Sequence, residues 1–208
     1  MERIFVTGIS TDVGKTIVAA IVTEALKADY WKPVQAGDLD DSDLKKVKKL
    51  VSNNKTKFHP SAYELTQPMS PHAAADLDKV NIDLNKIERP KTKNTLVIEG
   101  AGGLLVPLNN ENTILDLIKP EDHVIVVSRH YLGSINHTML TTYRLNEMGH
   151  KPILIFNGDE HPSTETIIKK MGNCFILGRI DNEPYFDQNV IKEYAEWFAR
   201  RWKSYLKQ

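Results

Sequence analysis

Residues 4–17 read Ile-Phe-Val-Thr-Gly-Ile-Ser-Thr-Asp-Val-Gly-Lys-Thr-Ile, and the fold is decided there. An apolar strand over 4–7 runs into a loop bounded by Gly8 and Gly14, and Lys15-Thr16 open an apolar helix over 15–27. Strand, glycine-bounded loop and helix start together form a phosphate cradle. The helix start offers backbone N–H groups that lack intrahelical partners, together with the positive end of the helix dipole. Lys15 can reach the outer phosphates of a nucleotide, and the Thr16 hydroxyl is placed to hold a magnesium ion shared with them. A nucleoside triphosphate is therefore the expected ligand. Five residues separate Gly8 from Gly14, where the ordinary P-loop pattern has four, so a slightly enlarged loop is expected.

Outward from this motif, apolar runs alternate with helical patterns. Strands are expected at 4–7, 96–99, 123–128, 152–157 and 174–177, with a shorter one at 30–34. Helices are expected at 15–27, 41–51, 113–118, 134–148 and 163–171. Pro120 and Gly149 mark helix exits, and Pro162-Ser163 suits a helix start. Such alternation predicts an α/β, P-loop NTPase-like domain spanning 1–208: a doubly wound, mostly parallel sheet with helices on both faces. In these sheets the ligand lies beyond the carboxyl ends of the strands, where the phosphate loop already is. Residues 52–57 and 89–94 are polar enough to be exposed loops. Residues 188–207 place Ile191, Tyr194, Trp197 or Phe198, and Trp202 at helical spacing, a stripe expected to pack on the domain's own flank.

The chain has 208 residues, 41% hydrophobic and 26% charged, with 27 basic and 27 acidic side chains. Zero net charge and the lack of a basic stripe argue against nucleic acid as a partner. No apolar run approaches the roughly 20 residues that span a bilayer, so no membrane is expected. Met1-Glu2-Arg3 leads directly into the first strand, leaving no room for a signal peptide, and the cytoplasm is the expected location. One cysteine, Cys174, excludes an intrachain disulfide and is expected to be a buried strand residue.

Three further segments carry chemistry. Leu96-Val97-Ile98-Glu99 is an apolar strand with a carboxylate at its exit, followed by Gly100-Ala101-Gly102-Gly103. Beside a phosphate loop that position suits a magnesium ligand, and the glycines let backbone approach the phosphates closely. In Trp31-Lys32-Pro33-Val34-Gln35-Ala36-Gly37, Lys32 ends a short strand and should project into the same crevice as Lys15. Two cations converging on one phosphate serve phosphoryl transfer, because negative charge spreads over the transferring oxygens. Asp43, in Asp40-Asp41-Ser42-Asp43, is either an acidic helix cap or the third member of a magnesium site with Thr16 and Glu99.

Taken together, the chain resembles the dethiobiotin synthetases, ATP-dependent carboxylase-cyclases of biotin synthesis. The matching pieces are Val6-Thr7-Gly8 to Lys15-Thr16, Lys32-Pro33-Val34, Ser42-Asp43, Ser70-Pro71-His72, Glu99 to Gly103, and Gly133-Ser134-Ile135-Asn136-His137. They occur in the expected order over about the first two-thirds of the chain, and the five-residue loop spacing is normal in that family. The resemblance implies that Asp12, Val13, Gly14, Lys15, Thr16 and Ile17 wrap ATP. It implies that Gly100, Ala101 and Gly102 approach its phosphates and that Asn157 reads the base. Thr16, Asp43 and Glu99 would hold Mg2+. Lys32 would bind the carbamate formed from CO2 and one amine of 7,8-diaminononanoate, with Lys15 and Thr11 completing the catalytic set. Thr11, Lys32, Ala36, Gly133, Ile135 and Asn136 would line the diamine site, at the two-fold interface of a homodimer. His72 and His137 read best as structural or as neighbours that support the site residues.

The chain departs from the family pattern at Ala36, where a Ser or Thr is usual, and Gln35 is the candidate to replace that hydroxyl contact. It departs again at Asn157-Gly158-Asp159, which shifts the acid, and at Ile180-Asp181-Asn182, which replaces an Ile-Pro turn. Competing readings on the same scaffold are a partition-type ATPase, disfavoured by Ser10 where an extra lysine is expected, and a nucleotide sensor without turnover. Lys32, Asp43 and Glu99 together favour the enzyme.

Overall fold

The computed structural model describes residues 1–207. Along the chain, β1 (Arg3–Gly8) leads through α1 (Lys15–Leu26) to β2 (Asp29–Trp31) and β3 (Val34–Ala36). Then come α2 (Asp43–Leu50), β4 (Phe58–His59), β5 (Tyr63–Leu65), α3 (Pro71–Asp78) and β6 (Leu96–Glu99). The chain ends with β7 (His123–Arg129), α4 (Ser134–Glu147), β8 (Ile153–Asn157), α5 (Pro162–Met171), β9 (Phe175–Ile180) and α6 (Gln188–Tyr205). Seven strands pair in parallel in the order β4-β2-β6-β1-β7-β8-β9, so β1 lies at the centre. Ile4, Phe5 and Val6 are fully buried, as are Ile125, Val126 and Val127. Central strands of a parallel sheet are covered on both faces, and that is why they read as unbroken apolar runs.

The windings leave β1 in opposite directions. From β1 the chain crosses by α1 to β2 on one side, and from β7 it crosses by α4 and α5 to β8 and β9 on the other. Right-handed crossovers running opposite ways place α1 and the α4–α5 pair on opposite faces. α6 returns to pack on α1, burying Ile191, Phe198 and Trp202, as the apolar stripe predicts.

Several expectations are corrected. The segment 30–34 is two strands rather than one: Pro33 lacks an N–H and breaks the ladder. Beyond it, β3 leaves the main sheet and pairs with β5 in a separate two-stranded sheet. Residues 113–118 form only a 3-10 turn over Ile114–Leu117. The expected helix at 41–51 starts at Asp43, because Ser42 accepts from the Lys45 N–H and caps it. The elements α3, β4 and β5 are additional to those expected. Cys174 is not a buried strand residue: it is half-buried and precedes β9, which continues to Ile180 through a bulge. Within that bulge a Cβ on Gly178 would lie 2.4 Å from the Trp197 ring, so the strand needs glycine where α6 crosses it.

Candidate active site

Between β1 and α1 the chain makes a concave turn. Asp12 (φ 55) and Gly14 (φ 95) both adopt left-handed backbone, and no side chain caps the start of α1. Consecutive N–H groups in such a turn, followed by an uncapped helix, form an anion-binding nest. A Cβ at Gly14 would fall 2.3 Å from Asn157 Nδ2, whose amide donates to the Val13 carbonyl at 2.9 Å. Asn157, at the end of β8, thus clamps the phosphate loop from the side. Lys15 folds over the turn, with Nζ 2.9 Å from the Ser10 carbonyl, and is 8% exposed. Burial and the neighbouring Lys32 push its ammonium down to about 8, against the upward pull of Glu99, Asp43 and Asp12.

Strand register explains the second cation. Val6 is level with Glu99, and Trp31 is level with Ile98, so Lys32, one residue on, arrives beside Glu99. Its Nζ lies 2.5 Å from Asp43 Oδ2 and 3.2 Å from Glu99 Oε1, with the Gly100 carbonyl at 3.4 Å. Burial alone would lower the Lys32 pKa, but the charges of Glu99 and Asp43 outweigh it and raise the value, so Lys32 stays cationic. Burial likewise opposes ionisation of Asp43, and Lys32 reverses the balance, lowering its pKa. Thr16 donates to Glu99 Oε1 at 2.9 Å, and Tyr30 donates to Glu99 Oε2 at 2.7 Å. Side chains two apart on a strand share a face, so Tyr30 and Lys32 meet the same carboxylate.

This donor set fits Mg2+. Two carboxylates and a hydroxyl are hard oxygen ligands, too few to enclose an ion alone but suited to one shared with nucleotide phosphates. Consistent with that partial set, no group of three or more His, Cys, Asp or Glu side chains among the described residues is placed to hold a metal.

Gln35, the candidate to replace the missing hydroxyl at position 36, is engaged within the chain. Its buried amide accepts from the Asp43 N–H at 3.2 Å and donates to the Gly37 carbonyl at 2.9 Å, fixing where α2 begins. Ala36 is half-buried in β3.

On the outer side of the loop lies a cleft of about 360 Å3, lined among others by Ser10, Thr11, Gly103, Leu105, Leu140 and Arg144. Gly102 (φ 64) brings the glycine turn against Thr11: a Cβ there would sit 3.6 Å from Thr11 Oγ1. Gly133, Ile135 and Asn136 do not line this cleft; they lie exposed at the start of α4. His137, on the following turn, is exposed, lines the cleft and lies 2.8 Å from the Tyr131 hydroxyl through Nδ1. Sequence reasoning missed Tyr30 and Arg144. Tyr30 is detectable as the residue two before Lys32 on one strand; Arg144 has no sequence signal apart from its helix.

A family model described as an AAA domain matches residues 2–190. The ATP-dependent dethiobiotin synthetase BioD of Christiangramia forsetii is 61% identical over 198 residues, covering 95% of this chain and 96% of that protein. The protein of the same name from Cytophaga hutchinsonii is 45% identical, covering 97% and 99%. Among solved structures, a plasmid partition protein from Borrelia burgdorferi B31 bound to AMPPNP superposes with a TM-score of 0.61 at 16% identity, covering 98% of each chain. The MinC:MinD cell division complex of Aquifex aeolicus gives 0.58 at 18% identity, covering 98% of this chain and 96% of that one. At such identity the two structures show a shared P-loop NTPase-like fold and nothing finer.

Proposed function

This chain belongs to the ATP-dependent dethiobiotin synthetases, and from that premise we propose how its residues carry out the reaction. The substrates are ATP, CO2 and 7,8-diaminononanoate. One neutral amine attacks CO2, a C–N bond forms, and the nitrogen loses a proton to leave a carbamate. A carbamate oxygen attacks the γ-phosphorus while the bond to ADP breaks, giving a carbamic-phosphoric anhydride. The second amine then attacks the carbamoyl carbon; phosphate leaves, the amine proton goes to solvent, and the cyclic urea closes.

The observation that carries this reading is the pair of buried lysines at the mouth of the phosphate loop, Lys15 and Lys32. A carbamate approaching a triphosphate is an anion meeting an anion, and in a site of low effective dielectric two fixed cations offset that repulsion. Lys32, kept cationic by Asp43 and Glu99, holds the carbamate, and Lys15 takes the charge that develops on the γ-phosphate. Mg2+ bound by Thr16, Asp43 and Glu99 would supply further neutralisation of the phosphates. The cleft beside Thr11 offers Leu104, Leu105, Val106 and Leu140 to the methylene chain and the Arg144 guanidinium to a carboxylate. Ring closure is intramolecular, so the protein's task is to hold the diamine folded.

The protein is proposed to work as one nucleotide-binding domain per chain and as a homodimer. Leu105 and Leu140 lie exposed at the cleft, and Leu132 and Ile135 lie exposed at the start of α4, apolar side chains that a second copy would cover, placing the diamine between subunits. No helix among the described residues is long and apolar enough to cross a membrane.

The test is phosphate release with ATP, Mg2+ and bicarbonate, with and without the diamine. Diamine-dependent release that yields dethiobiotin by mass is expected. Binding of ATP without such release would move the chain to a nucleotide sensor.

A further inference from the structure

Arg179, in β9, takes no part in the chemistry above, yet its guanidinium gathers the loop that follows β8. It donates to the Gly158 carbonyl at 2.8 Å and to the Asp159 carbonyl at 3.1 Å, pairs with Glu165 of α5, and lies over the Phe156 ring at 5.6 Å. Glu165 in turn accepts from the His161 N–H at 2.9 Å and lies 3.0 Å from His130 Nε2, just beyond β7. Arg179, near the end of β9, thus reaches the carbonyls of 158 and 159 directly, and Glu165 of α5, itself beside His130, braces it. At the start of that loop Asn157 reaches across to the phosphate loop through Val13.

The direction of the nucleotide gives this network a purpose. Thr16, Asp43 and Glu99, the groups suited to the outer phosphates, all lie on the β6–β2 side of β1. With the outer phosphates held there, the ribose and base must extend the other way, past β7 toward the end of β8. The loop 157–159 waits at that end. Its carbonyls at 158 and 159 are turned inward to Arg179, which leaves the exposed Asp159 side chain on the outer surface. Gly158 (φ 92) supplies the left-handed backbone this turn needs. A planar guanidinium can satisfy two carbonyls and a carboxylate at once, whereas an ammonium is a point charge without that fork.

We propose that Arg179, braced by Glu165, is a positioning residue that fixes loop 157–159 for contact with the nucleoside part of the bound triphosphate. The inference rests on the nucleotide reading of the phosphate loop. Its test separates the two by comparing MgATP with inorganic tripolyphosphate, which has the charge but no nucleoside, in equilibrium binding to the full chain. Arg179→Ala should weaken ATP binding about tenfold or more while leaving tripolyphosphate within about twofold and the KM for the diamine unchanged. Arg179→Lys should recover only part of the loss, and Glu165→Gln should fall between wild type and Arg179→Ala. Unchanged ATP affinity would overturn the proposal. So would an equal loss for both ligands, which would mean that Arg179 acts through the phosphate loop or the fold. Should Arg179→Ala fail to fold, the same comparison in Glu165→Gln decides the matter by the same criteria. Failure of the wild-type chain to bind either ligand would instead refute the nucleotide reading itself.

Discussion

On the β6–β2 side of β1, the polar groups of the site come from strand exits and helix starts, and the two strand-exit groups are tightly buried, Lys32 4% exposed and Glu99 1%, with Thr16 and Asp43 half-buried beside them. On the β7–β8–β9 side, one guanidinium from β9 reaches the loop and a carboxylate from α5 braces it, and Arg179 and Glu165 are both partly open to water. The first side places charge by register. Once Val6 is level with Glu99 and Trp31 with Ile98, Lys32 has little freedom. The second side holds a loop in place with side chains brought together by tertiary folding. Register leaves a buried charge one place to stand, whereas a loop held by tethers keeps its place only while each tether is present.

The sharpest way to break this comparison is to remove the two cations in turn. Lys15→Met should lower kcat/KM for ATP by about 10³ or more, on the order of 4 kcal/mol of transition-state stabilisation. Stability should rise or stay level, because burial and Lys32 already disfavour the Lys15 charge in the folded state. Lys32→Met should abolish turnover while leaving ATP affinity within several-fold. It should also lower stability by about 3 kcal/mol, since Asp43 and Glu99 then face each other without a cation. Added Mg2+ should restore part of that loss, read as a rise in Tm for this variant that exceeds the rise for wild type. Stability changes of the same sign in both variants would remove the distinction between a cation strained by its site and one required by it.

A second break tests the exposed flank. Leu140→Asp puts a charge into the apolar patch beside the cleft. Light scattering at micromolar concentration should show a wild-type dimer and a largely monomeric variant, with the KM for the diamine raised and ATP binding unchanged. A monomeric wild type would place the whole diamine site within one chain.

How much of this was legible beforehand follows the same division. The phosphate loop, Lys32 and Glu99 could be read because each stands at a strand exit, where residue order alone fixes the place of a side chain in a parallel sheet, and Asp43 because it follows a capping serine at a helix start. Tyr30 belongs to the same register, two residues before Lys32, but beside Trp31 in a short buried strand an aromatic looks like core. The Arg179–Glu165–His130 network joins residues 130, 165 and 179, which no spacing rule relates. Gln35 has a part that sequence does not signal: its amide ties the Gly37 carbonyl to the Asp43 N–H. Splitting of the 30–34 strand was signalled by Pro33, but nothing local says that β3 would find β5 as a partner.

The far side also carries a smaller, purely steric test. Gly178→Ala would set a methyl 2.4 Å from the Trp197 ring at a backbone φ of 149°, which an L side chain adopts poorly. A loss of roughly 1–3 kcal/mol in urea unfolding is expected, with an unchanged denaturant slope. Pairing it with Trp197→Ala should give less than the sum of the two losses, because the smaller ring site relieves the clash. Full additivity would show that backbone strain, and not the crossing of α6, requires glycine there.

The smallest effect comes from the other end of β2, and it sharpens the contrast between register and tethering within one strand. Asp29 is 1% exposed and takes four hydrogen-bonding contacts: Thr92 Oγ1 at 2.7 Å, Asn94 Nδ2 at 3.1 Å, His59 Nε2 at 3.1 Å and the Lys57 N–H at 3.2 Å. Burial by itself would raise its pKa, but these contacts favour the carboxylate strongly enough to lower it. A carboxyl with a depressed folded-state pKa contributes stability that is fully present above its unfolded value, near 3.9, and is lost as pH falls through that value toward the folded one. Asp29→Asn keeps the shape and removes the charge. It should cost on the order of 1 kcal/mol at pH 7, and that difference from wild type should shrink as pH falls below about 4. Turnover should be untouched, because the strand's register carries Lys32 to Glu99 whatever charge sits at its start. A stability difference that stayed constant down to pH 3 would mean that Asp29 acts through shape alone, and a loss of turnover would mean that the two ends of β2 are not independent.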